Sequence, residues 1–172
     1  MSNFSLGGIM VPFVASQDFS QTFEDIDGKH RRRKMDGTLF TQDQWTKLRT
    51  RLTGNGWLPY GLSGLDYATN MVLMCAAPRS ITGTGGTPHV IDIPAARRSD
   101  SGYVAYGVAV VDNVWQKPGD NIVTNTMTIS TVSGADYYMA IYYPQITVQA
   151  DYQEMFDQSS GVWRWSLNCE ET

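Results

Sequence analysis

One segment decides the fold class, and it reads Trp163-Arg164-Trp165-Ser166-Leu167-Asn168-Cys169. Apolar and polar side chains alternate along it with a period of two, which is typical of a strand with one buried face. Trp163, Trp165, Leu167 and Cys169 are predicted to face inward. The turn-forming residues 157–161 precede this segment and predict a hairpin with the strand over 146–155.

The same period-two pattern extends over most of the chain. Residues 17–26 place Phe19 and Phe23 on one face, and further strands are predicted over 67–77, 103–115, 122–132 and 137–152, the last with a bend at Tyr143-Pro144. One helix is predicted from Thr41 to about Thr53, because Thr41 and Gln44 could form a capping box and Trp45, Leu48 and Leu52 recur at helical spacing. The sum is a mainly β domain, a sandwich or barrel of about seven or eight strands with one packed α-helix.

Composition limits the classes of function. The chain has 172 residues, which suits a single domain over 1–172, and its net charge of −4 argues against a dedicated nucleic-acid-binding protein. Charged residues are only 17% of the chain, while it has nine Tyr and five Trp. Low charge and abundant aromatic residues favour surfaces covered by other protein.

Neither the cysteines nor the histidines predict a catalytic or metal-binding site. Cys75 and Cys169 lie in apolar strands and are predicted to be inert buried thiols. His30 and His89 lack Cys, Asp or Glu at ligand spacing, so no metal site is predicted. Without a nucleophile elbow or a phosphate-binding loop, we expect no enzyme activity and no cofactor. No secretory signal or membrane-spanning run is evident, which predicts folding in a cytoplasm.

The sharpest feature is a basic run between two turn pairs, Asp27-Gly28 and Asp36-Gly37. It is interpreted as the middle strand of a β-meander, with Arg31 and Arg33 on one face and Arg32 and Lys34 on the other. Three hypotheses remain open: a solvated hairpin, pairing with acidic residues of an adjacent copy, or contact with nucleic acid or anionic lipid. Together with a glycine-rich loop, the second hypothesis yields these candidate subunit-interface residues: Glu24, Asp25, Asp27, Arg31, Arg32, Arg33, Lys34, Thr84, Gly85 and Gly86.

Several blocks together resemble small virion proteins of tailed bacteriophages, from the tail or baseplate. These blocks are residues 31–39, 45–52, 54–59, 64–67, 75–79 and the closing strand 163–171. The resemblance implies a tail-tube-like β fold that forms stacked rings, hexameric by expectation, in the tube, its terminus or the tube–baseplate junction.

The resemblance also implies the partners and the location. Partners would be copies of the chain and other tail or baseplate proteins, with DNA only passing through a lumen and with no membrane span. The location would be the virion tail, assembled in the host cytoplasm. The family has no fixed site to carry over.

Two other functions remain open. One is a receptor- or carbohydrate-binding β-sandwich in which exposed Trp57, Trp115 or Trp163 stack on sugars. The other is a cell-wall hydrolase using two carboxylates, against which the lack of an isolated acid in an apolar setting speaks.

Overall fold

A computed structural model describes residues 4–12, 15–42, 44–59, 61–83 and 89–172 of the chain. The fold is mainly β, with 58% strand and 3% helix, which confirms the predicted class. The strands form several antiparallel sheets, and none of the sheets in the described residues closes into a barrel. No helix in these ranges is long and apolar enough to cross a membrane.

The described strands, in chain order, are β1 Ser5–Leu6, β2 Ile9–Met10, β3 Gln17–Asp27, β4 His30–Arg33, β5 Leu39–Gln42, β6 Thr46–Gly56, β7 Met71–Met74, β8 Arg79–Thr82, β9 His89–Asp92, β10 Tyr106–Val111, β11 Val114–Gln116, β12 Asp120–Val123, β13 Thr126–Ile129, β14 Tyr137–Tyr142, β15 Gln145–Asp157 and β16 Val162–Glu171. A 3-10 turn lies at Leu62–Gly64. The strands are more numerous and shorter than the predicted seven or eight, because turns and bends divide the long candidates. For example, the predicted strand over 122–132 is the hairpin β12–β13, and the one over 137–152 breaks at Tyr143-Pro144 as expected.

The chain folds into two compact units. The first runs up to Leu73 and resumes at Thr147–Thr172, and it contains a seven-stranded sheet in the order β2-β1-β7-β15-β16-β6-β3. The second, Met74–Ile146, contains a four-stranded sheet, β11-β10-β14-β8, and a three-stranded sheet, β12-β13-β9. The expectation of one domain over 1–172 stays a prediction.

The core of the first unit lies on one face of its long sheet. Trp165, Leu167 and Cys169 of β16 are buried, and Trp163 is half-buried on the same face. Leu167 pairs with Leu52 and Cys169 with Thr50 of β6, so the two strands bury the same face side by side. The register and the β15–β16 hairpin predicted from the alternation are confirmed.

The core of the second unit is built mainly from small and β-branched side chains. Its main buried cluster consists of Ile91, Ile93, Ala105, Ala109, Met127, Ile129, Tyr138, Ala140 and Tyr142. Close packing there requires a glycine, because a Cβ on Gly107 would lie 2.7 Å from Cγ1 of Ile129. Cys75 is also fully buried.

The predicted helix from Thr41 to Thr53 is wrong, because Thr46–Gly56 is strand β6. Leu48 and Leu52 are four residues apart, a spacing that fits one face of a helix and one face of a strand equally well. Trp45 is the residue that distinguishes them, and it is 49% exposed instead of sharing their buried face. Pairing on both sides, with β3 and with β16, decides for the strand.

A basic hairpin arm as candidate assembly site

Residues 28–45, here called the arm, contain a two-stranded hairpin formed by β4 and β5. His30 pairs with Gln42, and Arg33 pairs with Leu39. The tip is the predicted Asp36-Gly37 turn: Gly37 has φ 83°, and the Lys34 amide donates a 2.9 Å hydrogen bond to the carbonyl oxygen of Thr38. Left-handed backbone of this kind favours glycine. The sequence prediction of a turn at this pair is therefore confirmed.

The arm stands apart from the sheets of the fold. Among the described strands, β4 and β5 pair only with each other. The predicted meander is confirmed in the pairing of the basic strand β4 across the Asp36-Gly37 turn, but its pairing with β3 is wrong, because the described β3 belongs to a different sheet and pairs with β6. Every residue from Arg31 to Gln42 is exposed. An isolated two-stranded hairpin is at best marginally stable in water, so the arm gains most when another surface covers it.

The arm is fixed at its root by a glycine and a tryptophan. The Gly28 amide donates a 3.0 Å hydrogen bond to the carbonyl oxygen of Trp45. A Cβ on Gly28 would come within about 2.5 Å of Nε1 of Trp45, so only glycine lets the ring lie here. Trp45, predicted to be core, instead packs at the root of the arm.

The four consecutive cations Arg31 to Lys34 make no close contact with a described carboxylate. Arg31, Arg32, Arg33 and Lys34 make no ion pair within 4.0 Å in the described part of the chain. The only hydrogen bond made by these side chains there runs from NH1 of Arg33 to the carbonyl oxygen of Gly37, at 3.1 Å. Four adjacent like charges therefore face solvent together.

Acidic residues before the arm bind cations outside the run from Arg31 to Lys34. The Asp27 carboxylate accepts a 2.5 Å hydrogen bond from Nζ of Lys29, which lowers the pKa of Asp27. Glu24 lies 3.3 Å from NH1 of Arg49, whose NH2 lies 2.6 Å from Glu170. Hydrogen bonding to Glu170 and then to Glu24 raises the pKa of Arg49. Asp25 is exposed. Pairing of this acidic group with the arm of another copy stays a prediction.

The arm also exposes apolar side chains, which the sequence reasoning missed. Met35, Leu39 and Phe40 are all exposed. Phe40 lies opposite Arg32 in the β4–β5 register, and with Gln42 and Gln44 these two side chains line a groove of about 320 Å³. A guanidinium, an aromatic ring and two carboxamides in one groove suit an acidic protein surface, because arginine binds carboxylates in a bidentate geometry. The sequence did indicate these apolar side chains, because Leu39-Phe40 follows directly after the basic run and the Asp36-Gly37 turn pair.

The remaining predicted interface residues belong to the glycine-rich loop. Thr84, Gly85 and Gly86 lie outside the described residues. His89 begins β9, and its ring stacks on Tyr138 with centroids 3.5 Å apart. Within the described ranges, no group of three or more His, Cys, Asp or Glu side chains could hold a metal ion.

Of the three tryptophans considered for sugar stacking, Trp57 and Trp115 are exposed. Trp163 is half-buried and packs against Phe156, with centroids 5.0 Å apart. Two exposed rings are therefore available, and they belong to different units of the fold.

Comparison with known proteins adds no relative. No protein-family model matches the sequence, and no curated protein is significantly similar to it.

Proposed function

We propose that this chain is a structural subunit of a tailed-bacteriophage tail, which builds the tube, its terminus or the tube–baseplate junction by ring-like self-assembly. It works without catalysis and without a cofactor. Its partners are copies of itself, in hexameric rings, and other tail or baseplate proteins, and DNA meets it only in passing through the lumen. The tail of the virion is its location, after assembly in the host cytoplasm.

The observation that carries this proposal is the arm. Cations without a carboxylate within 4.0 Å and exposed apolar side chains lie together along this hairpin, so that both kinds of group remain in water in the isolated chain. Burial of apolar area and pairing of charge stabilise such a segment only when a partner covers it. In an assembly a partner subunit would cover this surface, whereas in a soluble monomer it would stay exposed to water.

A second candidate function is a receptor- or carbohydrate-binding module. The observation in its favour is the exposure of Trp57 and Trp115. Aromatic faces on a rigid β scaffold suit sugar rings, but neither residue lines the four grooves at Arg32, His89, Tyr67 and Gln153.

Sedimentation velocity and negative-stain microscopy of the purified chain at low salt test the proposal. We expect rings or tubes whose formation depends on protein concentration and weakens with salt. A stable monomer at all concentrations that retains a glycan would contradict the assembly function and favour the binding module.

A further inference from the structure

Charge is divided unevenly within the first unit. The arm has five basic and two acidic residues, a formal charge of +3. The remainder of that unit, here called the body, has ten acidic and four basic residues, a formal charge of −6. The arm and the body of the same unit are therefore of opposite sign.

The arm uses little of this complementarity within its own chain. Lys29, at the root, pairs with a body carboxylate, Asp27, and the charge of Arg31 acts more weakly on the same carboxylate. No described carboxylate lies within 4.0 Å of the four cations from Arg31 to Lys34. Body acids without a described ion pair also remain exposed, among them Asp151. Both halves of an electrostatic contact are thus present on one chain but are not joined in it.

We infer that self-association is head-to-tail, with the arm of one copy bound to the acidic body of the first unit in the next copy. This inference rests on the proposed function, because it assumes that copies associate. The signs of the charges decide the polarity of the contact: an arm-to-arm contact would join two segments of +3, and a body-to-body contact would join two surfaces of −6. Only the arm-to-body contact joins opposite charges.

A head-to-tail contact has a structural consequence. The donor and acceptor surfaces differ, so each copy can both give an arm and receive one. Such heterologous contacts close into rings where the rotation closes and extend into filaments where it does not. A polyanion is disfavoured as the partner of the arm, because the −6 body on the same unit repels phosphate.

The test uses a variant that can receive an arm but cannot give one, Arg31→Glu with Arg33→Glu. Its matched control is Arg51→Glu with Arg164→Glu, which changes the net charge equally but on exposed body positions. We expect the arm variant to self-associate about tenfold more weakly or worse at low salt, while the control associates at least as well as the wild type. Circular dichroism checks that both are folded, and Arg31→Gln with Arg33→Gln replaces the arm variant if it is not.

Mixing then tests polarity directly. The fluorescently labelled arm variant should co-sediment with wild-type protein when the two are mixed. As the fraction of variant rises, the assemblies should become shorter or be interrupted, because each variant molecule binds the arm of a wild-type copy but cannot bind a further copy with its own arm. Exclusion of the variant from intact wild-type assemblies would indicate arm-to-arm contact and overturn the inference. Self-assembly of the arm variant at wild-type levels would overturn it as well.

Failure of the proposed function has a different signature. It would appear as wild-type protein that stays monomeric in every condition, before any variant is mixed. If that monomer binds duplex DNA or vesicles of anionic lipid and the arm variant does not, the arm serves a polyanion and the head-to-tail contact is refuted.

Discussion

Replacing Arg98 by methionine should destabilise the second unit by about 3 kcal/mol. Its guanidinium is buried, with 2% of the residue exposed. Nε and NH2 donate to the two carboxylate oxygens of Asp100 at 2.9 and 2.6 Å, and NH1 donates to the carbonyl oxygen of Cys75 at 2.8 Å. The Arg98 carbon Cζ also lies 3.3 Å from the ring centroid of Tyr103. The Arg98 side chain therefore contacts Cys75, Asp100 and Tyr103 at the same time.

The magnitude follows from what the substitution leaves behind. The Cys75 carbonyl loses its donor in a buried setting, which costs about 1–3 kcal/mol. Loss of one member of a buried pair typically costs about 3–5 kcal/mol in all. For Arg98→Met the lower end of this range, about 3 kcal/mol, is expected, because the Asp100 side chain is 43% exposed and water can solvate it once its partner is lost. With a urea m-value of about 2 kcal/mol/M, the midpoint should fall by about 1.5 M.

Urea unfolding followed by circular dichroism measures this effect. The matched control is Arg164→Met, whose side chain is 60% exposed and lies 3.7 Å from Asp157, an exposed pair that contributes about 0–1 kcal/mol. Arg98→Lys should restore less than half of the loss, because one ammonium cannot reproduce the two-pronged contact and the ring stacking. A loss for Arg98→Met no larger than that of the control would refute the reasoning.

Four further outcomes are expected. Leu48→Ala should lower the free energy of unfolding by about 2–5 kcal/mol because Leu48 is buried, and a loss below about 0.5 kcal/mol in urea unfolding would remove it from the core. Cys169 should resist alkylation in the native protein and react after denaturation, since it is fully buried; rapid native labelling, read by mass spectrometry, would invert the register of β16. Hydrogen bonds from the side chain of Ser159 and then that of Ser160 hold the pKa of Asp157 at about 2, so its NMR titration should have a midpoint there; the associated stability is present above pH of about 4 and lost as pH falls towards 2, and a midpoint at the usual 3.8 would contradict this. Burial raises the pKa of Tyr67 to about 12, so alkaline absorbance titration should show a late phenol that is lost in Tyr67→Phe; the stability linked to it is present below pH of about 10 and lost as pH rises through 12, and an unchanged titration of the variant would speak against the assignment.

Both the head-to-tail inference and the proposed function depend on the arm, yet they depend on different properties of it. The proposed function needs the arm to be covered in the assembly, whatever covers it. The inference needs the cover to be the acidic body of another copy. The mixing experiment separates these two, because exclusion of the arm variant from intact wild-type assemblies would overturn the arm-to-body contact while leaving assembly itself in place.

Local sequence determined the strands that bury one face. In β16 apolar side chains recur at every second position, and in β3 Phe19 and Phe23 lie on one face, as the period of two set by strand geometry requires. Turn residues were equally local: Gly37 has the left-handed backbone that its Asp-Gly pair predicts, and residues 157–161 form the predicted connection. Such features need no knowledge of distant residues, because the pattern and the conformation lie in the same few positions.

The tertiary structure decided what the local pattern left ambiguous. Leu48 and Leu52 fit a helix or a strand, and pairing of β6 with β3 and β16, from opposite ends of the sequence, selected the strand. Likewise, the basic run was recognisable as a strand, but only the tertiary structure shows that it pairs with β5 outside the sheet that contains β3. Arg98 had no signal in the sequence, because its partners at Cys75 and Tyr103 become neighbours only on folding. The period and the turns are local properties of the chain, whereas strand partners and buried polar contacts depend on distant segments that meet only in the folded protein.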